Sequence, residues 1–359
     1  MVFTSGFNDR QKWVDIAKGL GIIAVAAGHS GSGAAYYLYW FHMPLFFIIS
    51  GYLFKPLKDW LSVFNWSLRR TCQLLLPYIS FLAIIVVVEF YLGNRAFDYK
   101  KIADSFTFNL YPGGRFIGGF YVTFWFITCL YITQIVFAVI HKTFKSSGVC
   151  LMIIGAFYLL AHYESAIAET RQIIVPWDID VAMLTLTYYA FGFFARDVIK
   201  RLNNILSAAS ITFTAVLTFL SVLELFSYSI NVKYGTCSNL ILDLIVPVTI
   251  SVALFAVSQK CSSSRASDIL VTLGKYSLPI MYLHLPVNII LHNYYNIIFG
   301  PFYFVLIGLA VPTVLGILFE RFWLTNLLLM GCLSPLPVPE RIFSWRESRG
   351  AQPAAIKTK

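Results

Sequence analysis

The residues of this chain best suited to chemistry lie near its N-terminus, in segments that are otherwise apolar. Lys18 and His29 stand eleven positions apart. That is three helical turns plus about 20° of drift, so they share one helix face. At 1.5 Å per residue they are separated by roughly 16 Å along the axis, which sets a cation near one membrane surface and an imidazole at about mid-bilayer. Asp15, three residues before Lys18, is placed to pair with it and fix its direction. A second apolar segment carries His42-Met43-Pro44-Leu45-Phe46-Phe47 and then Ser50-Gly51. Ionisable groups in hydrocarbon are costly and mark function by default. Taken singly, Lys18 would snorkel and His29 would bond a neighbouring helix. An imidazole titrates near neutrality, so it can take a proton as a general base or carry a transferred group as a nucleophile. The sequence leaves both routes open.

The elements that position these groups must be membrane helices. Hydrophobic residues make up 58% of the chain and charged residues 12%, against about 25% charged in a soluble protein. The mean hydropathy of +0.72 excludes an ordinary water-soluble globule. Arg10, Lys12, Asp15 and Lys18 flank and enter the first apolar segment, and no small-residue cleavage site follows it, so it is expected to stay as an anchor. The six cysteines, Cys72, Cys129, Cys150, Cys237, Cys261 and Cys332, form no C-x-x-C pair and no metal-ligand spacing. Packing is the role expected of them, and no metal site is expected.

Hydropathy predicts an all-α integral membrane protein of about ten spans, near 14–32, 35–54, 74–93, 118–140, 148–163, 179–196, 207–228, 238–258, 276–298 and 301–330. The fifth reads as short and the last as long, which calls for tilt or a break. Of the 27 Lys and Arg, only Arg95, Lys100, Lys101, Arg115, Arg171 and Lys233 fall in alternate loops. The rest crowd the other side, which predicts both termini inside. The net charge of +10 therefore speaks to topology and not to nucleic acid. Residues 1–330 read as one multi-pass domain. The Pro-containing basic stretch 331–359 reads as a cytoplasmic tail near anionic lipid. Two outside segments, 94–117 and 162–180, read as polar loops, the second with Glu164, Glu169, Arg171, Trp177, Asp178 and Asp180. Aromatic rings beside carboxylates suit sugar recognition, although Trp and Tyr also gather at membrane interfaces. Glu89 and Asp243 are embedded carboxylates that would orient a histidine, bind acceptor hydroxyls or pair with a polar neighbour.

Lys18-(x10)-His29 and the run Phe41-His42-Met43-Pro44-Leu45-Phe46-Phe47-Ile48-Ile49-Ser50-Gly51 resemble the membrane acyltransferase-3 family. Its motifs are a basic residue ahead of a histidine and Phe-Phe-x-x-Ser-Gly. Further matches are Arg69-Arg70 ahead of Leu76-Pro77-Tyr78, Trp125-Phe126, and Gly274-Lys275-Tyr276-Ser277 leading to His284. The similarity covers about residues 10–330 and looks most like the subgroup that acetylates sugars, fucose-type among them, of bacterial surface polysaccharides.

The resemblance implies an acyltransferase-3 type helical bundle in the bacterial inner membrane. It would move an acetyl group from cytosolic acetyl-CoA to a hydroxyl of a cell-surface or lipid-linked polysaccharide. It implies no permanently bound cofactor, and its partners would be membrane lipid, acetyl-CoA and the carbohydrate. His29 would be the catalytic base, with Lys18, Arg69, Arg70 and Ser50 at the donor. Asp15, His42, Phe46, Phe47, Gly51, Trp125, Trp177, Asp180 and His284 would face the acceptor or pore. Trp177 and Asp180 match a Pro-Trp-x-x-Asp pattern of the sugar-acetylating subgroup. Where family members often carry an arginine nearer the proline, this chain has Gln73 and Leu74, so the donor clamp would be built differently. A multi-pass transporter of a glycan-related or small polar substrate is the second reading and a membrane scaffold the third. No paired half-repeat is visible in support of transport.

Overall fold

Apolar runs in hydrocarbon have no water to satisfy their backbone, so they must close their hydrogen bonds within the segment, as helices. The computed structural model describes residues 11–93, 98–111, 118–168 and 175–332. Among these residues there is no β-strand, only an isolated bridge between Asn231 and Thr236. The first helices are α1 Lys12–Gly28, α2 Ala35–Leu38, α3 His42–Leu53, α4 Trp60–Arg70, α5 Leu76–Leu92 and α6 Tyr99–Leu110. The middle of the chain forms α7 Trp125–Thr143, α8 Ser147–Ala168, α9 Ile179–Phe194, α10 Arg196–Lys200 and α11 Asn204–Val222. Then follow α12 Leu242–Cys261, α13 Asp268–Lys275, α14 Ser277–Asn293, α15 Pro301–Arg321 and α16 Trp323–Met330.

Several boundaries differ from those hydropathy predicts, each for a local reason. The first helix stops at Gly28, because Gly28-His29-Ser30-Gly31-Ser32-Gly33 is poor helix material and Gly31 turns left-handed at φ 72°. His29 therefore caps the end of α1 instead of lying within the helix. The second segment divides into α2 and α3, and Phe41 leaves the helical region at φ −143°. Pro44 then falls in the first turn of α3, where a missing N–H costs nothing.

The stretch 55–73, read as a loop, is largely helix. Asp59 caps α4 by accepting from the Ser62 amide at 2.7 Å, and these bonds hold its carboxyl below the usual range. A π-helical segment, Thr71–Leu75, joins α4 to α5. Trp60 and Leu61 remain exposed on α4, which suits a helix lying in the membrane interface. Part of the predicted polar loop 94–117 folds as α6, with Asp98 accepting from the Lys100 and Lys101 amides. The fifth segment is not short: α8 has 22 residues. The long last segment breaks at Phe322 into α15 and α16.

Among the described residues, six helices are long and apolar enough to cross a membrane by length and composition, Trp60–Leu92, Gly119–Thr143, Ser147–Ile167, Asn204–Val222, Leu242–Cys261 and Pro301–Arg321. The helices α1, α9 and α14 have 17, 16 and 17 residues, and α3 has 12. The tail 333–359 and the loop residues Arg95, Pro112 to Arg115, Glu169 and Arg171 lie outside the described residues.

Two pairs of helices meet backbone to backbone. A Cβ at Gly51 of α3 would overlap the Tyr189 carbonyl of α9, and one at Gly192 of α9 would overlap the Ile48 carbonyl of α3. Likewise Gly19 of α1 abuts the Leu270 carbonyl of α13, and Gly274 of α13 abuts the Asp15 carbonyl of α1. Small residues are what allow such approach in membrane bundles. Gly51 is thus a packing position between helices.

Gly51→Val is expected to destabilise the protein by about 1–3 kcal/mol through overpacking. Gly33→Ala, whose Cβ meets nothing within 4 Å, is expected to leave stability unchanged. Thermal unfolding of both variants in detergent, followed by intrinsic fluorescence, checks the contrast.

Candidate active site

The cations singled out from sequence meet around one chamber. Its volume is about 1110 Å³, and Lys18, Phe46, Ser50, Arg69, Arg70 and Gln73 are among the residues that line it. That is at the top of the usual range for a pocket holding one organic ligand. Lys18 arrives from α1, where its ammonium stands 4.0 Å from the carboxylate of buried Asp15. Arg69 and Arg70 arrive from the last turn of α4, just ahead of the π turn. Such turns reset the face a helix presents, and Arg70, Cys72, Gln73 and Leu74 all border the chamber. The Arg70 guanidinium donates to Gln73 Oε1 at 3.0 Å and lies 5.4 Å from the Trp66 ring centroid. Gln73 therefore fixes the direction of Arg70.

Three imidazoles gather at the far end of α1. The ring centroids of His29 and His284 are 5.4 Å apart, those of His29 and Tyr39 6.2 Å, and those of Tyr39 and His42 4.8 Å. His29, Tyr39, His42, Trp125, Lys233 and Met281 help enclose a small pocket of about 30 Å³. His42 Nδ1 lies 2.6 Å from the Leu38 carbonyl, and His284 Nδ1 lies 2.8 Å from the Ile280 carbonyl. A carbonyl only accepts, so each of these nitrogens carries the hydrogen and Nε2 carries the lone pair. His284 Nε2 has no hydrogen-bond partner among the described residues. His42 is 3% exposed and His284 0%, whereas His29 is only partly buried. His29 is thus the most accessible of the three imidazoles, and His284 lies behind it.

Chamber and pocket share one lining residue, Met281. Its carbonyl accepts from Thr123 Oγ1 at 2.9 Å, which ties this turn of α14 to the segment preceding α7. An unbranched thioether with three rotatable bonds is an adaptable wall. Met281 and Tyr39 carry no sequence signal of their own. Met281 could be found only as the residue one turn before His284 on the same helical face.

The remaining predicted residues take other places. Phe47 is fully buried, its ring 5.4 Å from that of Phe126. Trp125 borders the imidazole pocket. Trp177 and Asp180 line neither the chamber nor the imidazole pocket. The Trp177 indole donates to the Leu110 carbonyl at 3.1 Å, and its backbone is left-handed at φ 55°. Asp180 is buried in the first turn of α9. Asp243 accepts from the Ser238 and Asn239 amides and lies 3.1 Å from His162 Nε2, so it pins the segment before α12. Glu89 accepts from the Tyr121 hydroxyl at 2.5 Å.

Comparison with known proteins identifies the family. The chain is 27% identical over 215 residues to the nodulation protein NolL of Mesorhizobium japonicum, an alignment covering 56% of this chain and 52% of that protein. The chain thus spans about half the length of that relative. No solved structure matches it significantly. The family model Acyl_transf_3, an acyltransferase domain, matches residues 11–321. A multi-pass helical chain that carries this domain over most of its length belongs to the acyltransferase-3 family of membrane acyltransferases.

Proposed function

We propose that the protein is an O-acetyltransferase of the bacterial inner membrane, moving an acetyl group from cytosolic acetyl-CoA to a sugar hydroxyl of a surface or lipid-linked polysaccharide. The observation that carries this reading is the chamber of three cations set against the His29 pocket, with Met281 between them. The excess of Lys and Arg on the Arg69–Arg70 side supports a cytoplasmic opening for the chamber. Lys18, Arg69 and Arg70 suit the phosphates of the donor, because charge-assisted bonds from arginine to phosphate are strong and directional. The thioester arm then extends along Ser50 and Phe46 toward Met281.

His29 takes the proton of the acceptor hydroxyl as its oxygen bonds to the acyl carbon. The C–S bond breaks, and the CoA thiolate recovers a proton from the imidazolium. His284, its tautomer fixed by the Ile280 carbonyl, positions the His29 ring. An enclosed pocket limits attack by water on the acyl donor.

Nuclear magnetic resonance of the surface polysaccharide tests the reading. O-acetyl signals are expected to disappear when the gene is deleted, return with wild type and stay absent with an equally abundant His29→Ala protein. Loss of a positioned base lowers the rate by about 10²–10⁴-fold. Unchanged acetylation in all strains would refute the proposal. In purified protein, Arg70→Ala is expected to raise the acetyl-CoA KM by about 10-fold or more, since a hydrogen bond to a charged group contributes about 1.5–3 kcal/mol. A change in kcat with unaltered donor KM would remove Arg70 from the donor site.

A further inference from the structure

Beyond the imidazoles, at the other end of α14, lies a third cavity, of about 420 Å³. Glu89 of α5, Ser105 and Asn109 of α6, Tyr121, and Asn293 and Tyr294 at the end of α14 border it. Among the described residues that line it there is no Lys or Arg. Helix α14 gives the order of the compartments. Ser277 and Leu278 line the cation chamber, Met281 lines chamber and pocket, His284 backs His29, and Ile289 and Asn293 line this cavity. At 1.5 Å per residue Asn293 lies roughly 13 Å beyond His284. The chain also passes from this cavity at Tyr121 to the imidazole pocket at Thr123 within two residues.

The polar groups here are acceptors in need of donors. Asn109 is 5% exposed. Its amide NH₂ donates to the Ser105 carbonyl at 2.7 Å and to Ser105 Oγ at 3.4 Å. Its Oδ1 has no hydrogen-bond partner among the described residues. Leaving such a buried acceptor unpaired is costly, and a ligand hydroxyl would satisfy it. The Glu89 carboxylate takes the Tyr121 hydroxyl at 2.5 Å, while a carboxylate accepts about four hydrogen bonds. Phe108 and Tyr294 add flat apolar faces at the rim, where the C–H face of a sugar ring can lie. The carboxylate, with no Lys or Arg among the described lining residues, disfavours phosphate or any acidic ligand.

We infer that this cavity is a subsite for a neutral carbohydrate. It seats the part of the acceptor next to the sugar whose hydroxyl enters the imidazole pocket. The inference rests on the acyltransferase reading for the identity of the ligand as acceptor. It replaces Trp177 and Asp180 with Glu89 and Asn109 as the groups that hold the acceptor.

The full-length protein in lipid nanodiscs is titrated with methyl β-D-glucopyranoside, methyl α-L-fucopyranoside and cellotetraose, with binding followed by saturation-transfer NMR. At least one saccharide is expected to bind wild type and His29→Ala alike. Its Kd is expected to rise at least tenfold in Glu89→Gln, where the Tyr121 bond survives, and in Gly118→Leu, where an added Cβ meets nothing within 4 Å. Acetyl-CoA binding should be unchanged in both variants. No binding by wild type, an unaltered Kd in both variants, or preferential displacement by tetramethylammonium would each overturn the subsite. Transfer assays separate this from the parent reading. If His29→Ala still acylates while saccharide binding depends on Glu89, the acyltransferase mechanism fails and the subsite stands. If acylation requires His29 while saccharide binding ignores Glu89, the subsite alone fails.

Discussion

The site depends on two helices touching with no side chain between them. Gly19 and Gly274 let α1 and α13 approach until each backbone meets a carbonyl of the other. In a membrane there is little hydrophobic force between helices, so close packing of this kind carries the association. It locks the rotation of α1 about its axis. That rotation decides whether Lys18 faces the chamber while His29 faces His284. The α3–α9 contact through Gly51 and Gly192 does the same for the helix that contributes Ser50 and Phe46. Arg196 reinforces it by donating from Nε to the Tyr52 carbonyl at 2.8 Å and from Nη2 to the Phe54 carbonyl, at the open end of α3.

With these helices fixed, α14 acts as the ruler of the molecule. Buried polar groups recur along it, and His284 and Asn288 are held by bonds to backbone carbonyls. His284 uses the Ile280 carbonyl, and Asn288 donates to the His284 and Phe304 carbonyls at 2.7 and 3.1 Å. Gly308 of α15 lies against Asn288 and His284, so a larger residue there would press on the histidine that backs His29. The polar residues of this helix are thereby set at fixed heights.

Much of this was legible in the sequence, and the limits have physical causes. The Lys18–His29 spacing belongs to α1 and its C-cap, whereas Arg69 and Arg70, read as loop residues ahead of a helix, form the last turn of α4. Helix breaks at Tyr39–Phe41 and at Phe322 were not legible in position, because hydropathy averages across residues that are apolar on both sides of a break. Nor was the joining of α4 to α5, since the π turn has no composition of its own. Trp177 and Asp180 drew attention as an aromatic beside a carboxylate. Burial and the Trp177 bond to the Leu110 carbonyl turn them instead toward the protein interior. Met281 escaped notice because an apolar residue in an apolar helix stands out only once the cavities on either side are seen.

The wall at Met281 also bears on the energetics of the cell. The large chamber and the imidazole pocket share Met281, and the pocket measures only about 30 Å³. A buried water needs about 10–15 Å³ of such space, so the pocket holds a water or two and no continuous column. Each elementary charge crossing a membrane dissipates about 2.3 kcal/mol per 100 mV. So narrow a pocket at the imidazoles admits a neutral group more readily than a charged one, for which a low-dielectric passage is costly.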